Sequence, residues 1–401
     1  MANTRTQRAG RLALGIAAAM ALAGCDGTLS GPAPDPADVT PRLACGEQRV
    51  TEIRIDGDGF SPMGIDTATD APHLALPQVS LTRVAALDGT AVAGEPPVVV
   101  PNDAEAPAEA RVRWTDRTVL AFDVFPELAL TPGLYEARVA NPNGNAATLA
   151  AALVIVPRPL LDAIEPDLTC TEQGARPFVI RGSHFLHMKG TGALPTVTVR
   201  SETSGTVTVP IESLSDCVDL PGRADAALCR SGALTLPQGA PDPSRVASLA
   251  NPDVIDVVVT NPDPGGCHSE DAVTLALVPP PALDAIAPDL ACVAQGARTL
   301  ALSGTNLVTV GKDAPTVRIG TLELDATDPA GCVDVAGTLL DASACTGMNV
   351  TVPQDGLAPG SYGVVLTNPE PAGCFSEEAR TVAIVPPPRL DSVTEDLMCL
   401  D

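Results

Sequence analysis

Cysteines are the residues of this chain whose type and spacing most clearly allow chemistry, and there are eleven of them. Two pairs lie close in sequence: Cys217 and Cys229 are 12 residues apart, and Cys332 and Cys345 are 13 residues apart. Neither pair forms a Cys-x-x-Cys motif, and no group of histidines lies beside them, which argues against zinc sites. We therefore predict Cys217–Cys229 and Cys332–Cys345 disulfides, each contributing about 3 kcal/mol through loop entropy.

Other residues with chemical potential form no complete site. Asp56-Gly57-Asp58-Gly59 resembles the start of a calcium loop, but Thr67 occupies the position where such a loop has its glutamate. His184 and His187 are three residues apart, in a segment that aligns with the end of a strand. We therefore predict no metal site and no cofactor.

Motifs of known enzyme classes are also absent from the sequence. There is no Gly-x-Ser-x-Gly elbow, no phosphate-binding glycine loop and no dinucleotide fingerprint. The four histidines belong to no coherent constellation, which argues against a catalytic triad. We predict that the protein has no catalytic residues and is not an enzyme.

The elements that position the cysteines recur three times along the chain. Each copy opens with an aliphatic residue, a proline, a leucine and a cysteine at alternate positions, and a glycine follows the cysteine after twelve residues. Each copy later has a strand-like segment that ends in Asn-Pro. The aligned openings are Val39-x-Pro41-x-Leu43-x-Cys45, Ile164-x-Pro166-x-Leu168-x-Cys170 and Ile286-x-Pro288-x-Leu290-x-Cys292; the glycines are Gly57, Gly182 and Gly304; the closing pairs are Asn141-Pro142, Asn261-Pro262 and Asn368-Pro369.

Short alternations of Val, Thr, Ile and Leu between Gly/Pro turns favour antiparallel β-sandwiches, and no long stretch has a helical period. We predict unit 1 at 38–157, unit 2 at 158–279 and unit 3 at 280–386, with 387–401 a partial fourth copy. The proline-rich linkers after each unit are stiff and extended, so that the units would form a semi-rigid rod.

The repeated pattern resembles the IPT/TIG immunoglobulin-like domain. The shared features are Ile-x-Pro, a strand ending in Gly-x-Asn/His-Phe/Leu, and a Gly-x-Tyr strand that ends at Asn. Two departures are the Leu-x-Cys segment, which replaces the family's usual Gly-Pro loop, and Asn251-Pro-Asp-Val, which replaces Gly-x-Tyr in unit 2. The resemblance implies an all-β fold of tandem IPT/TIG-like (E-set type) sandwiches that act as spacers, adhesive modules or interaction surfaces.

The outer cysteines of units 2 and 3 allow two pairing schemes. Because only these units contain both members, we favour Cys170–Cys267 and Cys292–Cys374 within units, which leaves Cys45 and Cys399 over. The alternative is pairing across unit boundaries, because the two positions fall at opposite poles of an immunoglobulin-like sandwich.

Residues 1–24 form a secretory signal with a basic head (Arg5, Arg8, Arg11) and an apolar middle that is too short to span a membrane. Leu22-Ala23-Gly24-Cys25 resembles the lipobox of bacterial lipoproteins, which implies that Cys25 is diacylated and that the mature protein is anchored to a membrane. Residues 25–37 are Pro-rich and predict a flexible tether. We place the protein in the bacterial cell envelope, at the outer membrane or cell surface rather than the inner membrane.

A formal net charge of −25 disfavours nucleic acid as a partner. Trp114, the only tryptophan, is predicted to be a core residue, and the long acidic stretch 88–110 is a candidate binding face. We predict a non-enzymatic, lipid-anchored scaffold or spacer with a protein or glycan partner at the envelope. The alternative is a surface lipoprotein that binds glycan or calcium through its loops.

Overall fold

A computed structural model describes residues 31–65, 73–102, 111–201, 205–241, 253–377 and 380–392. These residues form strands and turns, with a 3-10 turn at Pro126–Leu128 and no α-helix in the described ranges. The predicted all-β fold is thus confirmed. The signal segment, Cys25 and Cys399 lie outside the described residues.

The strands divide into three groups that follow the three sequence repeats. Unit 1 contains β1 (Asp35–Thr40), β2 (Leu43–Cys45), β3 (Thr51–Asp58), β4 (Met63–Ile65), β5 (His73–Ala75), β6 (Gln78–Ala85), β7 (Val98–Val99), β8 (Arg113–Asp116), β9 (Val119–Val124), β10 (Gly133–Ala140) and β11 (Ala146–Val156). Unit 2 contains β12 (Leu160–Glu165), β13 (Leu168–Thr169), β14 (Arg176–Met188), β15 (Thr196–Ser201), β16 (Gly205–Pro210), β17 (Ser213–Ser215), β18 (Val218–Leu220), β19 (Arg223–Leu236), β20 (Asp253–Thr260) and β21 (Val273–Leu277).

Unit 3 contains β22 (Ala282–Ala287), β23 (Leu290–Ala291), β24 (Arg298–Val310), β25 (Thr316–Ile319), β26 (Leu322–Asp325), β27 (Thr327–Ala330), β28 (Val333–Asp334), β29 (Ala342–Val352), β30 (Gly360–Thr367) and β31 (Arg380–Ile384). In unit 1, β1 begins at Asp35, inside the segment predicted as tether.

Each unit is a sandwich of two sheets with the same strand order. In unit 2 one sheet runs β12-β14-β19-β17, with β18 also on β19, and the other runs β13-β21-β20-β15-β16. Units 1 and 3 repeat this order as β1-β3-β9-β8 with β2-β11-β10-β6-β7, and as β22-β24-β29-β27 with β23-β31-β30-β25-β26. The opening segment is split between the sheets, since β12 pairs antiparallel with β14 whereas β13 pairs parallel with β21. This is the strand order of an immunoglobulin-like sandwich.

One apolar cluster fills each sandwich, and it is built mainly from Val, Ile and Leu because the chain has few aromatic residues. The alternation of the strands supplies it: along β15 the side chains of Val197 and Val199 are fully buried, whereas their neighbours are not. Phe60 and Phe122 are buried in unit 1 and Phe178 and Phe185 in unit 2, whereas the core of unit 3 is aliphatic apart from Tyr362 at its edge.

Both tyrosines of the chain lie near the start of the penultimate strand of their unit. The hydroxyl of Tyr135 donates a hydrogen bond to the carbonyl oxygen of Thr131 at 2.6 Å, and that of Tyr362 donates to Ala358 at 2.9 Å. This is the tyrosine corner of immunoglobulin-like folds. Burial raises the pKa of Tyr135 to about 12. In unit 2 the aligned residues Asn251 and Pro252 lie outside the described residues, yet β20 occupies the same place in its sheet.

The repeated glycine lies inside a strand and not at its end in units 2 and 3, which corrects the sequence-based expectation. Along β14 the chain advances from Arg181 to Phe185, whereas on the neighbouring β19 it advances only from Ser231 to Cys229. The extra residues of β14 form a bulge, after which the strand continues to Met188. A Cβ on Gly182 would lie 2.0 Å from the carbonyl oxygen of Leu160, and therefore only glycine allows β12 to approach. His184 follows with φ 62°, as does Asn306 with φ 60° in unit 3.

The asparagine of each Asn-Pro pair holds this bulge in place. The Nδ2 group of Asn261 donates to the carbonyl oxygen of His184 at 2.9 Å, and its Oδ1 accepts from the N–H of Leu186 at 2.9 Å. Asn368 makes the same two bonds, to Asn306 and Val308, also at 2.9 Å. These side chains are 2–3% exposed, so the amide satisfies two backbone groups that water cannot reach.

We expect Asn368→Ala to lower the free energy of unfolding by about 3 kcal/mol, because the Asn306 carbonyl and the Val308 N–H lose their partner in a buried site. Asn349→Ala in the same unit is the matched control: its amide bonds Asp328 at the exposed surface, so we expect a change within about 0.5 kcal/mol. Denaturant unfolding of both variants measures the difference, and equal losses would contradict the assigned role.

Candidate functional site: the junctions between units

Among the residues that the structure describes, the polar side chains singled out in the sequence do not come together as a metal site. Asp56 bonds Arg54, and the carboxylate of Asp58 accepts the N–H of Gly59 at 2.7 Å. Within the described ranges no three His, Cys, Asp or Glu side chains are grouped so that they could hold a metal ion.

Trp114 and the strand Val98–Val99, which lies within the acidic stretch, belong to the framework of unit 1. Trp114 packs against the core of unit 1, and its indole N–H donates to the Phe60 carbonyl at 3.1 Å. Part of the stretch forms β7 against β6, the edge position that β16 and β26 hold in the other units. Residues 103–110 lie outside the described residues, and the candidate binding face at 88–110 stays a prediction.

The structure contains the two inner disulfides, Cys217–Cys229 and Cys332–Cys345, each with a Cα–Cα distance of 3.9 Å. Each joins the residue before a short strand, β18 or β28, to the long neighbouring strand, β19 or β29. The bond therefore staples a two-stranded ribbon at the edge of its unit. Unit 1 has no such pair in its sequence.

The outer cysteines pair across unit boundaries, so the favoured pairs Cys170–Cys267 and Cys292–Cys374 are wrong. The structure joins Cys45 of unit 1 to Cys267 of unit 2 and Cys170 of unit 2 to Cys374 of unit 3, with Cα–Cα distances of 6.1 and 6.0 Å. Cys45 is thus not left over, and Cys292 is the one unpaired thiol among the described cysteines.

Strand geometry explains why the within-unit pairs do not form. Cys170 directly follows β13, which runs beside the carboxyl end of β21, where Thr169 is opposite Leu277. Cys267 lies in the hairpin that precedes the other end of β21. At about 3.3 Å per residue, the length of β21 separates them by more than about 13 Å, too far for a disulfide.

Junction 1, between units 1 and 2, also buries an apolar cluster. In this cluster the outer side of β2 and β11 packs against the end of β14 and against the β18–β19 ribbon that the Cys217–Cys229 disulfide staples. From unit 1 come Leu43, Val154 and Val156, and from unit 2 come Leu186, Met188, Leu220 and Ala226. Leu43 and Val156 are fully buried, although both lie outside the core of their own sandwich.

Junction 2, between units 2 and 3, repeats this arrangement with smaller side chains. Unit 2 contributes Leu168, Cys170, Ala276 and Val278, and unit 3 contributes Val308, Val335, Ala342, Ala344, Ala372 and Cys374. Val335 extends from the β28–β29 ribbon, as Leu220 does at junction 1. The inner disulfides therefore brace the surface on which the preceding unit docks.

A glutamine three residues after the first cysteine completes each junction. At junction 1 the Oε1 of Gln48 accepts the N–H of His268 at 2.8 Å. At junction 2 Gln173 accepts the N–H of Phe375 at 2.7 Å and donates to its carbonyl at 2.6 Å, as an added strand would. The spacing Leu-x-Cys-x-x-Gln recurs in all three units, and this signal could have identified the junction from sequence.

Charged pairs line the rim of both junctions. Arg49 pairs with Asp263, and Arg176 lies 3.5 Å from Glu370, on the hairpins that carry Cys267 and Cys374. Ion pairs at the surface contribute about 0–1 kcal/mol each to stability. These pairs therefore help to orient the hairpin but add little to the stability of the junction. His184 lies half-buried beside junction 1, where burial lowers the pKa of its imidazole.

By the strand order of its sheets, the chain is a tandem array of immunoglobulin-like domains. Comparison with solved structures returns matches of low overall superposition. The matches include Drosophila OTK extracellular domains 3–5, at 12% identity over 90% of this chain and all of that chain with a TM-score of 0.21. The mouse nectin-like molecule 4 ectodomain matches at 11% identity over 88% of this chain and 98% of that chain, with a TM-score of 0.22.

A Bacteroides ovatus glucan-utilization protein, SGBP-B, described in complex with a mixed-linkage heptasaccharide, matches at 12% identity. The match covers 88% of this chain and 68% of that chain with a TM-score of 0.19. No family model matches the chain, and no curated protein matches its sequence. Across the described ranges, no helix has the length and apolar character needed to cross a membrane.

We expect Leu168→Asp to lower the free energy of unfolding by about 3 kcal/mol or more, because it places a carboxylate in the closed apolar cluster of junction 2. Leu290→Asp is the matched control, since Leu290 is the aligned residue of unit 3 and is 56% exposed, so we expect little change. Calorimetry of both variants tests this, and a neutral Leu168→Asp would show that the units do not pack together.

Proposed function

We propose that this protein is a non-enzymatic, lipid-anchored scaffold or spacer of the bacterial cell envelope, built from tandem IPT/TIG-like modules. The observation that carries the proposal is the pair of junctions. Each one combines a disulfide, a buried apolar cluster and a glutamine bridge between neighbouring units. Such joints fix the orientation of each unit relative to the next, which a spacer or scaffold needs and a set of independently tethered domains lacks.

The disulfides also support export. Eight of the described cysteines are oxidised, which is typical of proteins outside the cytoplasm. The segment Leu22-Ala23-Gly24-Cys25, which resembles a lipobox, supports acylation of Cys25 and anchoring to the outer membrane or cell surface. Gly31 and Pro32 already accept side-chain hydrogen bonds from Asn145 and Asn141 of unit 1, so the tether would end before them and would hold unit 1 close to that membrane.

The expected partner is a protein or glycan of the envelope, and the acidic surface argues against nucleic acid. The alternative of a glycan- or calcium-binding surface lipoprotein rests on loops such as 88–110, and no described cluster of ligands favours it. A scaffold of this kind requires rigidity between units more than a deep pocket within one.

We expect Cys25→Ser to abolish incorporation of a fatty-acid label in a bacterial host with lipoprotein processing and to release the protein from the membrane fraction. Cys399→Ser is the matched control, because it also removes a cysteine yet leaves the lipobox-like segment intact, and it should stay labelled and membrane-bound. Labelling of both proteins or of neither would contradict the proposed anchor.

Ligand binding separates the scaffold from its alternative. We expect calcium to leave the thermal unfolding midpoint of the purified ectodomain unchanged relative to EDTA, and a glycan array to give no signal. A calcium-dependent rise of the midpoint, or binding to one glycan class, would replace the scaffold by the ligand-binding lipoprotein.

A further inference from the structure

Unit 3 presents a face that its two sister units bury. Leu43 and Leu168 are fully buried at junctions 1 and 2, but the aligned Leu290 is 56% exposed. The same holds along the neighbouring strand: Val156 and Val278 are fully buried, whereas Val385 is only partly covered. We call the surface formed by Asp289, Leu290, Cys292, Gln295 and Val385 the open face.

The polar groups of the open face are already arranged as in a closed junction. The Nε group of Arg298 donates to the Cys292 carbonyl at 3.0 Å, as Arg176 does to Cys170 at 2.9 Å in junction 2. Asp289 aligns with Asp167, whose carboxylate accepts the Thr338 hydroxyl of the next unit at 2.7 Å. Gln295, which aligns with Gln48 and Gln173, is exposed.

The aligned faces of units 1 and 2, which are covered at junctions 1 and 2, indicate what binds the open face. In both junctions it is a hairpin of the following unit that reads Asn-Pro-Asp/Glu-Pro-x-Gly-Cys, from Asn261 to Cys267 and from Asn368 to Cys374. Both hairpins with this sequence are therefore already bonded to a preceding unit of the same chain. The aligned hairpin of unit 1, which starts at Asn141, is shorter and contains no cysteine, so a second copy of the chain offers no free match.

The connection also favours a unit that follows in the same polypeptide. The prolines 386–388 match the linkers 157–159 and 279–281, across which the two observed junctions close. The sequence beyond them, with Val393, Leu397 and Cys399 in register, repeats the opening of a unit.

We propose that the open face of unit 3 docks a further immunoglobulin-like unit joined through residues 386–388, and that Cys292 forms a disulfide with the cysteine of its Asn-Pro-Asp/Glu-Pro-x-Gly-Cys hairpin. Two thiols form one disulfide and release two protons and two electrons. A disulfide oxidant such as oxidised glutathione accepts them and becomes two thiols. The inference rests on the scaffold part of the proposed function and not on the lipid anchor.

The test extends the chain in register by joining a second copy of residues 293–386 directly after Cys399, without the signal segment and Cys25. The product is folded with reduced and oxidised glutathione. We expect Cys292 to become unreactive towards N-ethylmaleimide and to be recovered, in a non-reducing digest, bonded to the appended copy of Cys374. The appended copies of Cys332 and Cys345 form their own disulfide and thereby report that the added unit has folded.

Two control variants of the extended chain isolate the proposed contacts. Serine in place of the appended Cys374 should leave Cys292 reactive, and Leu290→Asp should reduce formation of the bond. A reactive Cys292 beside a folded appended unit would overturn the proposal, and so would a Cys292–Cys292 dimer, which would assign the face to a second copy. Loss of Cys45–Cys267 or Cys170–Cys374 in the unextended chain would instead overturn the scaffold itself.

A second measurement does not require the added unit to fold. A peptide of residues 367–377, with its cysteine as a mixed disulfide with 5-thio-2-nitrobenzoate, is mixed with the unextended chain, which carries Cys399→Ser and lacks the signal segment and Cys25. We expect Cys292 to displace the chromophore about tenfold faster than with a scrambled peptide of the same composition. Equal rates would contradict recognition of the hairpin by the open face.

Discussion

The disulfide between the opening cysteine of one unit and the hairpin cysteine of the next is the constraint on which the rest of the structure depends. It forms at Cys45–Cys267 and again at Cys170–Cys374, across more than 200 residues of chain. Each bond lies where the apolar outer side of one sandwich meets the stapled ribbon of the next. The linker, the apolar cluster and the disulfide together leave the two units little freedom to rotate.

A core with few aromatic residues explains why such joints matter. Small aliphatic side chains bury less area than aromatic rings, so each sandwich gains less from its own interior. The chain adds polar and covalent contacts at fixed positions: a buried asparagine under each bulge, and disulfides at the edges. Packing of units against one another buries residues such as Leu43 and Leu168 that an isolated sandwich would expose.

Local features could be predicted from sequence because each one depends on residues that are near in the chain. The strands that end in Asn-Pro, the glycine twelve residues after each cysteine and the nearness of Cys217 to Cys229 all belong to this group. The role of Asn261 could not be foreseen, since its partners Leu186 and His184 are 75 and 77 residues away. The pairing of the outer cysteines depends on which pole of the sandwich each occupies, and grouping cysteines by unit ignores that geometry.

A disulfide map of the purified, oxidised ectodomain, digested without reductant and analysed by mass spectrometry, is the most direct test of whether the units are joined. We expect peptides that link Cys45 to Cys267 and Cys170 to Cys374, together with a Cys292 that an alkylating reagent modifies before reduction. Recovery of Cys170 bonded to Cys267, or of Cys292 bonded to Cys374, would show that the units are not joined to one another by disulfides and would contradict the account.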